Sequence, residues 1–198
     1  MTAALVEELK KIIKGDVVTD EETLHKHSFD RSIYSVKPKV VVFPIDHKDV
    51  QNLVAFVAKH KKAHPDLNVT ARAAGTDMSG GVLNNSIIIS FMKYFTHEPV
   101  FHGQSADIEP GMYYRDFEKF TFEHGLIYPA YPSSRELCAL GGIINNNAGG
   151  EKSLAYGKAE DYVNSMNVVL ADGKEYVIKP LDMKGLEKKM KQQDFEGK

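Results

Sequence analysis

The run Arg72-Ala73-Ala74-Gly75-Thr76-Asp77-Met78-Ser79-Gly80-Gly81 stands between an apolar stretch that opens at Val69 and the triplet Ile87-Ile88-Ile89. Two buried strands joined by such a segment need a turn that packing alone does not explain. Three glycines with a Thr and a Ser let successive backbone N–H groups point into one concavity, where an anion is held without a fixed counter-charge. Phosphate suits that turn; a wide structural loop is the alternative. Spacing excludes two nucleotide motifs. A Walker loop needs Lys where Gly81 stands, followed by Ser or Thr, and Val82 follows instead. A dinucleotide fingerprint opens a long helix, whereas Gly75, Gly80 and Gly81 are spaced differently and lead to a strand.

A second cluster, Gly141-Gly142-Ile143-Ile144-Asn145-Asn146-Asn147-Ala148-Gly149-Gly150, combines amide donors and acceptors with a backbone that a ligand can approach closely. Part of it reads as a helical turn. Pro132-Ser133-Ser134 lies just upstream and brings hydroxyl and N–H groups to the same place. An Asn-rich solvent loop is the competing explanation for this cluster by itself; two clusters in one small chain shift the weight toward ligand binding.

The elements around the clusters follow from periodicity. Thr2 caps a first helix carrying Leu5, Leu9, Ile12 and Ile13, with Gly15 as its stop, and Thr19-Asp20-Glu21-Glu22 reads as a capping box. Phe29 to Lys39 has no period and reads as loop. Val40 to Phe43 is a strand ended by Pro44; Asp46 then opens a helix with Val50, Leu53, Val54 and Val57 on one face, which together suggest a βαβ unit. Later come a strand from Ala106 to Glu109, a helix from Tyr113 to His124, and a hairpin about Ala171-Asp172-Gly173-Lys174 in which Asp and Gly suit positive φ. From Leu181 the chain is a charged stretch with Met183, Leu186 and Met190 on one side. The expected fold class is α+β in two lobes: a small βαβ lobe over residues 1–95 and a mixed, mainly antiparallel lobe over 96–198, with the ligand between them.

Composition narrows the function classes. Twenty-five Lys and Arg against 27 Asp and Glu leave a formal charge of -2, which offers no general attraction for nucleic acid or an anionic membrane. One cysteine, Cys138, excludes an internal disulfide framework, and eight scattered His show no zinc spacing. A reducing cytoplasm is the expected compartment. The N-terminus shows no signal peptide, and no apolar run approaches the roughly 18 residues of a membrane span. His102 and His124, considered as bases, have no carboxylate pair or metal spacing and read as surface or helix-end residues; no catalytic residue is assigned.

From about Pro38 to Ile178 the chain resembles the FAD-binding (PCMH-type) domain of the vanillyl-alcohol oxidase superfamily, closest to its glycolate oxidase and D-lactate dehydrogenase branch. The family loop R-G-G-G-T-S-x-S-G-G, which wraps the FAD pyrophosphate, sets Arg72, Gly75, Thr76, Ser79, Gly80 and Gly81 on matching positions. Pro110-Gly111 matches a P-G-V turn, Tyr131-Pro132-Ser133-Ser134 a D-P-S-S element, and Ala139 through Gly150 the element T-I-G-G-N-x-x-x-N-A-G-G. Tyr156-Gly157, Asp161 and Asp172-Gly173 also fall in place. Departures are Ala73 and Ala74 for glycines, Asp77 for Ser, Tyr131 for Asp, Ala139 for Thr and Ile143 for Asn.

The resemblance implies an FAD-dependent oxidoreductase that accepts hydride from a small 2-hydroxy acid. Cofactor contacts would come from Arg72, Ala74, Gly75, Thr76, Asp77, Ser79, Gly80, Gly81, Pro110, Gly111, Pro132, Ser133, Ser134, Gly141, Gly142, Asn145, Asn147, Ala148 and Gly149, over an apolar floor of Tyr128, Tyr131 and Leu140. Binding is expected to be non-covalent, since relatives that attach flavin through this loop carry His where Thr76 stands. Asp77 is expected to weaken pyrophosphate binding unless its side chain turns away or caps a local N–H. The family's substrate cap has no counterpart here, so a C-terminal substrate domain or partner subunit is expected. Alternatives are a non-catalytic flavin- or nucleotide-binding module and a flavin reductase acting on a sugar nucleotide.

Overall fold

The computed structural model describes residues 1–197. It opens with α1 (Ala3–Ile12), β1 (Asp16–Val18), α2 (Glu21–Lys26), β2 (Val40–Phe43), α3 (His47–His60), β3 (Val69–Arg72) and β4 (Ile87–Ser90). These strands form one sheet in the order β1-β2-β4-β3. β1 runs antiparallel to β2, with Asp16 opposite Phe43, while β4 is parallel to both neighbours, with Val40 and Val69 opposite Ile87. The β2-α3-β3 crossover therefore leaves a gap of one strand that β4 fills.

Alternation in β2 and β4 explains their unbroken apolar runs. Val40, Val42, Ile87 and Ile89 face Leu5 and Leu9 of α1 and Leu53 and Phe56 of α3, whereas Val41 and Ile88 face Leu24 of α2. A strand covered on both faces has no side that can stay polar. Each helix starts where a side chain accepts an otherwise unpaired N–H: Thr2 from Leu5, Asp20 from Thr23 and Asp46 from Asp49. The cap of α2 is thus Asp20, one residue beyond Thr19. Gly15 is not a left-handed stop for α1; a side chain there would run into the Phe43 carbonyl, so glycine permits the approach of β1 to β2.

The second half contains the hairpin β5 (Val100–His102) and β6 (Ser105–Asp107), then α4 (Tyr114–Glu123), α5 (Leu140–Asn145), α6 (Ser153–Tyr156) and a 3-10 helix (Ala159–Tyr162). A separate core gathers here from Met112, Tyr114, Phe117, Ala130, Tyr131, Cys138, Leu140, Ile143 and Ala159. The antiparallel pair β7 (Met166–Val169) and β8 (Glu175–Ile178) follows. In its turn only Gly173 takes positive φ, at 77°, so Asp172 does not adopt the expected conformation and instead accepts the Lys174 N–H at 3.1 Å. The hairpin returns to the first half, where a methyl on Gly173 would lie 2.9 Å from Ala55 of α3. The charged stretch after Leu181 forms α7 (Met183–Met190), capped by Asp182. Among the described residues no helix is long and apolar enough to cross a membrane.

Candidate functional site

β3 and β4 are adjacent and parallel, so the chain leaving the carboxyl end of β3 must return the length of the sheet before β4 begins. Residues 73–86 make that return without a helix. The glycine loop therefore starts at the carboxyl edge of the parallel strands, the edge at which open α/β sheets bind ligands. Its first part lies over the Arg72 side chain. Arg72 is 8% exposed, donates from Nη2 to the Phe29 carbonyl at 2.7 Å, and leaves Nη1 buried without a partner among the described residues. A methyl on Gly75 would lie 2.6 Å from the guanidinium carbon, so the glycine makes room for the cation beneath the loop. Burial presses the Arg72 pKa below its ordinary value, opposed by the charge of Asp30.

Gly75 and Gly80 take φ of 68° and 82°. Among the described residues, no backbone hydrogen bond engages the N–H groups of Gly75 and Thr76. The far side of the loop is different. Asp77 Oδ2 accepts the N–H groups of Ser79 and Gly81, each at 3.2 Å, and the Ser79 hydroxyl as well. These bonds, the Ser79 hydroxyl first, hold the carboxyl below the usual Asp range. Asp77 thus caps its own loop.

The segment from Phe29 to Tyr34 supports this loop and escaped sequence reasoning. Arg31 N–H donates to the Asp77 carbonyl at 2.9 Å, and a methyl on Gly80 would approach the Tyr34 ring at 3.1 Å. Its one local signal is Asp30-x-Ser32, where Asp30 Oδ1 accepts the Ser32 N–H at 2.8 Å in an Asx turn. Ile33, Tyr34 and Met78 are exposed beside the loop.

The two clusters are joined by short backbone links. Phe91 N–H donates to the Arg72 carbonyl at 3.1 Å, Gly111 N–H to Phe95 at 2.9 Å, and Gly141 N–H to Pro110 at 2.9 Å. A side chain at Gly111 would collide with the Phe91 carbonyl, and one at Gly141 would lie 2.8 Å from the Pro110 carbonyl. These glycines bring backbone to backbone. Pro110-Gly111 is the joint that carries α5 to the end of β4.

Within the second cluster the residues divide. Asn147, at φ 46°, accepts the Glu160 N–H at 3.0 Å, and Ala148 accepts that of Ala159 at 3.1 Å, so both tie α5 to the 3-10 helix. Gly149 is crowded by Ser153, whose hydroxyl accepts the Gly150 N–H at 2.7 Å. Gly142 is different: a methyl there would meet nothing within 4 Å. Asn145 and Ser133 are exposed, while Pro132 and Ser134 offer carbonyls to Arg135, Leu137 and Cys138 in a local turn. Tyr131 and Leu140 are only 3% and 1% exposed and belong to the second core, so they provide no open floor for an isoalloxazine. Burial raises the Tyr128 phenol to about 12. His102 lies at the surface against Asp107, and His124 ends α4 with its ring on the Phe120 carbonyl and against Phe101.

Residues 38–179 match the family described as FAD binding domain. The chain belongs to that family. It is 30% identical over 174 residues to a D-2-hydroxyglutarate dehydrogenase of Stutzerimonas stutzeri, spanning 86% of this chain and 37% of that protein. A D-lactate dehydrogenase of Archaeoglobus fulgidus is 31% identical over 176 residues, or 85% of this chain and 37% of the relative. Glycolate oxidase subunit GlcD of Escherichia coli is 31% identical, with 78% of this chain and 31% of the subunit covered. This FAD binding domain chain thus spans 31–37% of the length of these three curated relatives. Among solved structures, an alkyldihydroxyacetonephosphate synthase superposes with a TM-score of 0.74 at 20% identity, covering 93% of this chain and 36% of the synthase. A chitooligosaccharide oxidase superposes at 0.74 with 18% identity, covering 88% and 37%. The superpositions show a shared fold.

Proposed function

We propose that this chain is the flavin-holding part of an oxidoreductase that takes hydride from a small 2-hydroxy acid. The observation that carries the reading is the glycine loop at the carboxyl edge of β3, where Gly75 lies against the Arg72 guanidinium and the Gly75 and Thr76 N–H groups have no backbone partner among the described residues. That donor set fits a pyrophosphate. The loop residues Ala74, Gly75 and Thr76 would hold the phosphates, with Arg72 adding positive charge from below, and Ser79, Gly80 and Gly81 would join them where Asp77 gives way. Gly142, Asn145 and Ser133 would present open backbone and polar groups to the rest of the cofactor, while Pro110, Gly111, Gly141, Asn147, Ala148 and Gly149 hold those groups in place. The bound flavin supplies the hydride acceptor. Thr76 offers no imidazole for attachment, which supports non-covalent binding.

The substrate class rests on the relatives, two of which are named for D-2-hydroxyglutarate and D-lactate. Residues 1–95 and 96–198 are proposed as two lobes about the cofactor, and a further substrate domain or partner subunit as the source of the group that takes the substrate's proton. The cytoplasm is the proposed compartment, in keeping with a single buried, unpaired Cys138. A non-catalytic flavin module is the second reading; the Asp77 carboxylate within the loop favours it.

Anaerobic mixing of the FAD-loaded chain with D-lactate, D-2-hydroxyglutarate or glycolate tests the division of labour. Hydride transfer requires the α-carbon held about 3–3.5 Å from the flavin with a base in reach. Flavin absorbance should persist with the 198-residue chain alone. Rapid bleaching would show that the base is already present.

A further inference from the structure

We propose that the Asp77 carboxylate is an anion the chain keeps in its own phosphate nest, so that a phosphate-bearing ligand gains the Ser79 and Gly81 donors only by displacing it. A single oxygen, Oδ2, collects the Ser79 N–H, the Gly81 N–H and the Ser79 hydroxyl. Ser79 Oγ receives the Gly81 N–H as well, at 3.3 Å, so the far side of the nest is closed by the chain's own atoms. Oriented N–H groups of this kind bind anions whatever their source. A carboxylate four residues from its furthest donor is a local competitor that no dilution removes.

The near side stays open. Among the described residues the Gly75 and Thr76 N–H groups have no backbone partner, and Arg72 is anchored beneath the loop by the Phe29 carbonyl. A pyrophosphate therefore has two courses. Either it is held by the near side beside a fixed negative charge, or it turns Asp77 outward and takes the far donors too. Both courses leave affinity below what the backbone alone would give, and Asp77 sets that deficit for phosphate-bearing ligands specifically.

The inference rests on the flavin reading above. Asp77→Asn keeps an oxygen at the same reach without the charge, and Asp77→Ser shortens the side chain so that it leaves the nest. Affinities for FAD and for riboflavin, which has no phosphate, are measured by flavin fluorescence quenching at fixed ionic strength, with urea midpoints confirming that each variant is folded. A screened like-charge contact of about 1 kcal/mol corresponds to about a fivefold change in affinity. FAD should bind about that much more tightly to both variants, the inhibition constant of inorganic pyrophosphate against FAD should fall by a similar factor, and riboflavin affinity should not change. Equal or weaker FAD binding by Asp77→Asn, or an equal shift for riboflavin, overturns the proposal and leaves the flavin reading standing. Absence of any flavin binding by wild type and variants overturns that reading and the proposal with it.

Discussion

Asp49, with no exposed surface, accepts the Lys14, Gly15 and Ile45 N–H groups at 2.9, 2.9 and 3.1 Å and so ties the ends of α1 and β2 to the first turn of α3. Asp49→Ala leaves three inward donors without partners, and the expected loss in urea unfolding free energy is about 3 kcal/mol. His27 gives a pH-dependent signature. Burial pushes its imidazole below the ordinary 6.5, with the Thr23 carbonyl opposing and the Arg72 charge adding to the fall. The unfolded chain therefore binds a proton that the folded chain resists, and stability falls as pH drops below 6.5 toward the folded value. Urea midpoints at pH 7.5 and 5.5 should separate for wild type and draw together for His27→Gln. An unchanged separation would assign the slope to other groups. Residue identities in the glycine loop were legible, but the direction of Asp77 was not: whether a carboxylate there points outward or takes N–H groups of its own loop is decided by backbone geometry.

Elements with a long period were the most readable. Leu53 and Phe56 of α3 sit inward as a helical stripe, and Val40 to Val42 with Ile87 to Ile89 form the strands their apolar runs suggest. β1 and β5 have three residues each, too few for alternation to show, and neither was foreseen. The position of β4 between β2 and β3 is a property of pairing, not of local pattern. At the β7–β8 turn, Gly173→Ala places a methyl at φ 77° and against Ala55. It should cost about 1–2 kcal/mol by strain, and more if α3 cannot yield. Thermal unfolding compared with Gly125→Ala, at φ 66° with open space around it, separates strain from contact. Equal shifts in the two variants would mean that the hairpin does not press on α3.

Across the whole molecule, one core fills the space between α1, α3 and the sheet, and another lies under α4 and α5. The glycine loop at the end of β3 and the joint at Pro110-Gly111 stand where the backbone passes between them. Sequence located both clusters but treated every glycine as space for a ligand. Gly111, Gly141 and Gly149 are instead filled against carbonyls or Ser153, and Tyr131 and Leu140 are core. Gly and Asn are used alike for ligand approach and for tight backbone contact, so composition cannot separate the two.

The central claim is that the glycine loop seats the FAD pyrophosphate. A titration of FAD into the purified chain and into Gly80→Val, followed by flavin fluorescence, tests it directly. Valine at φ 82°, facing Tyr34, should distort a loop that belongs to neither core. Saturable one-to-one binding is expected for wild type, and its loss in a Gly80→Val chain that still unfolds cooperatively, with a urea midpoint lowered by no more than the strain of about 1–2 kcal/mol that positive φ imposes. Equal affinity in the two would contradict it.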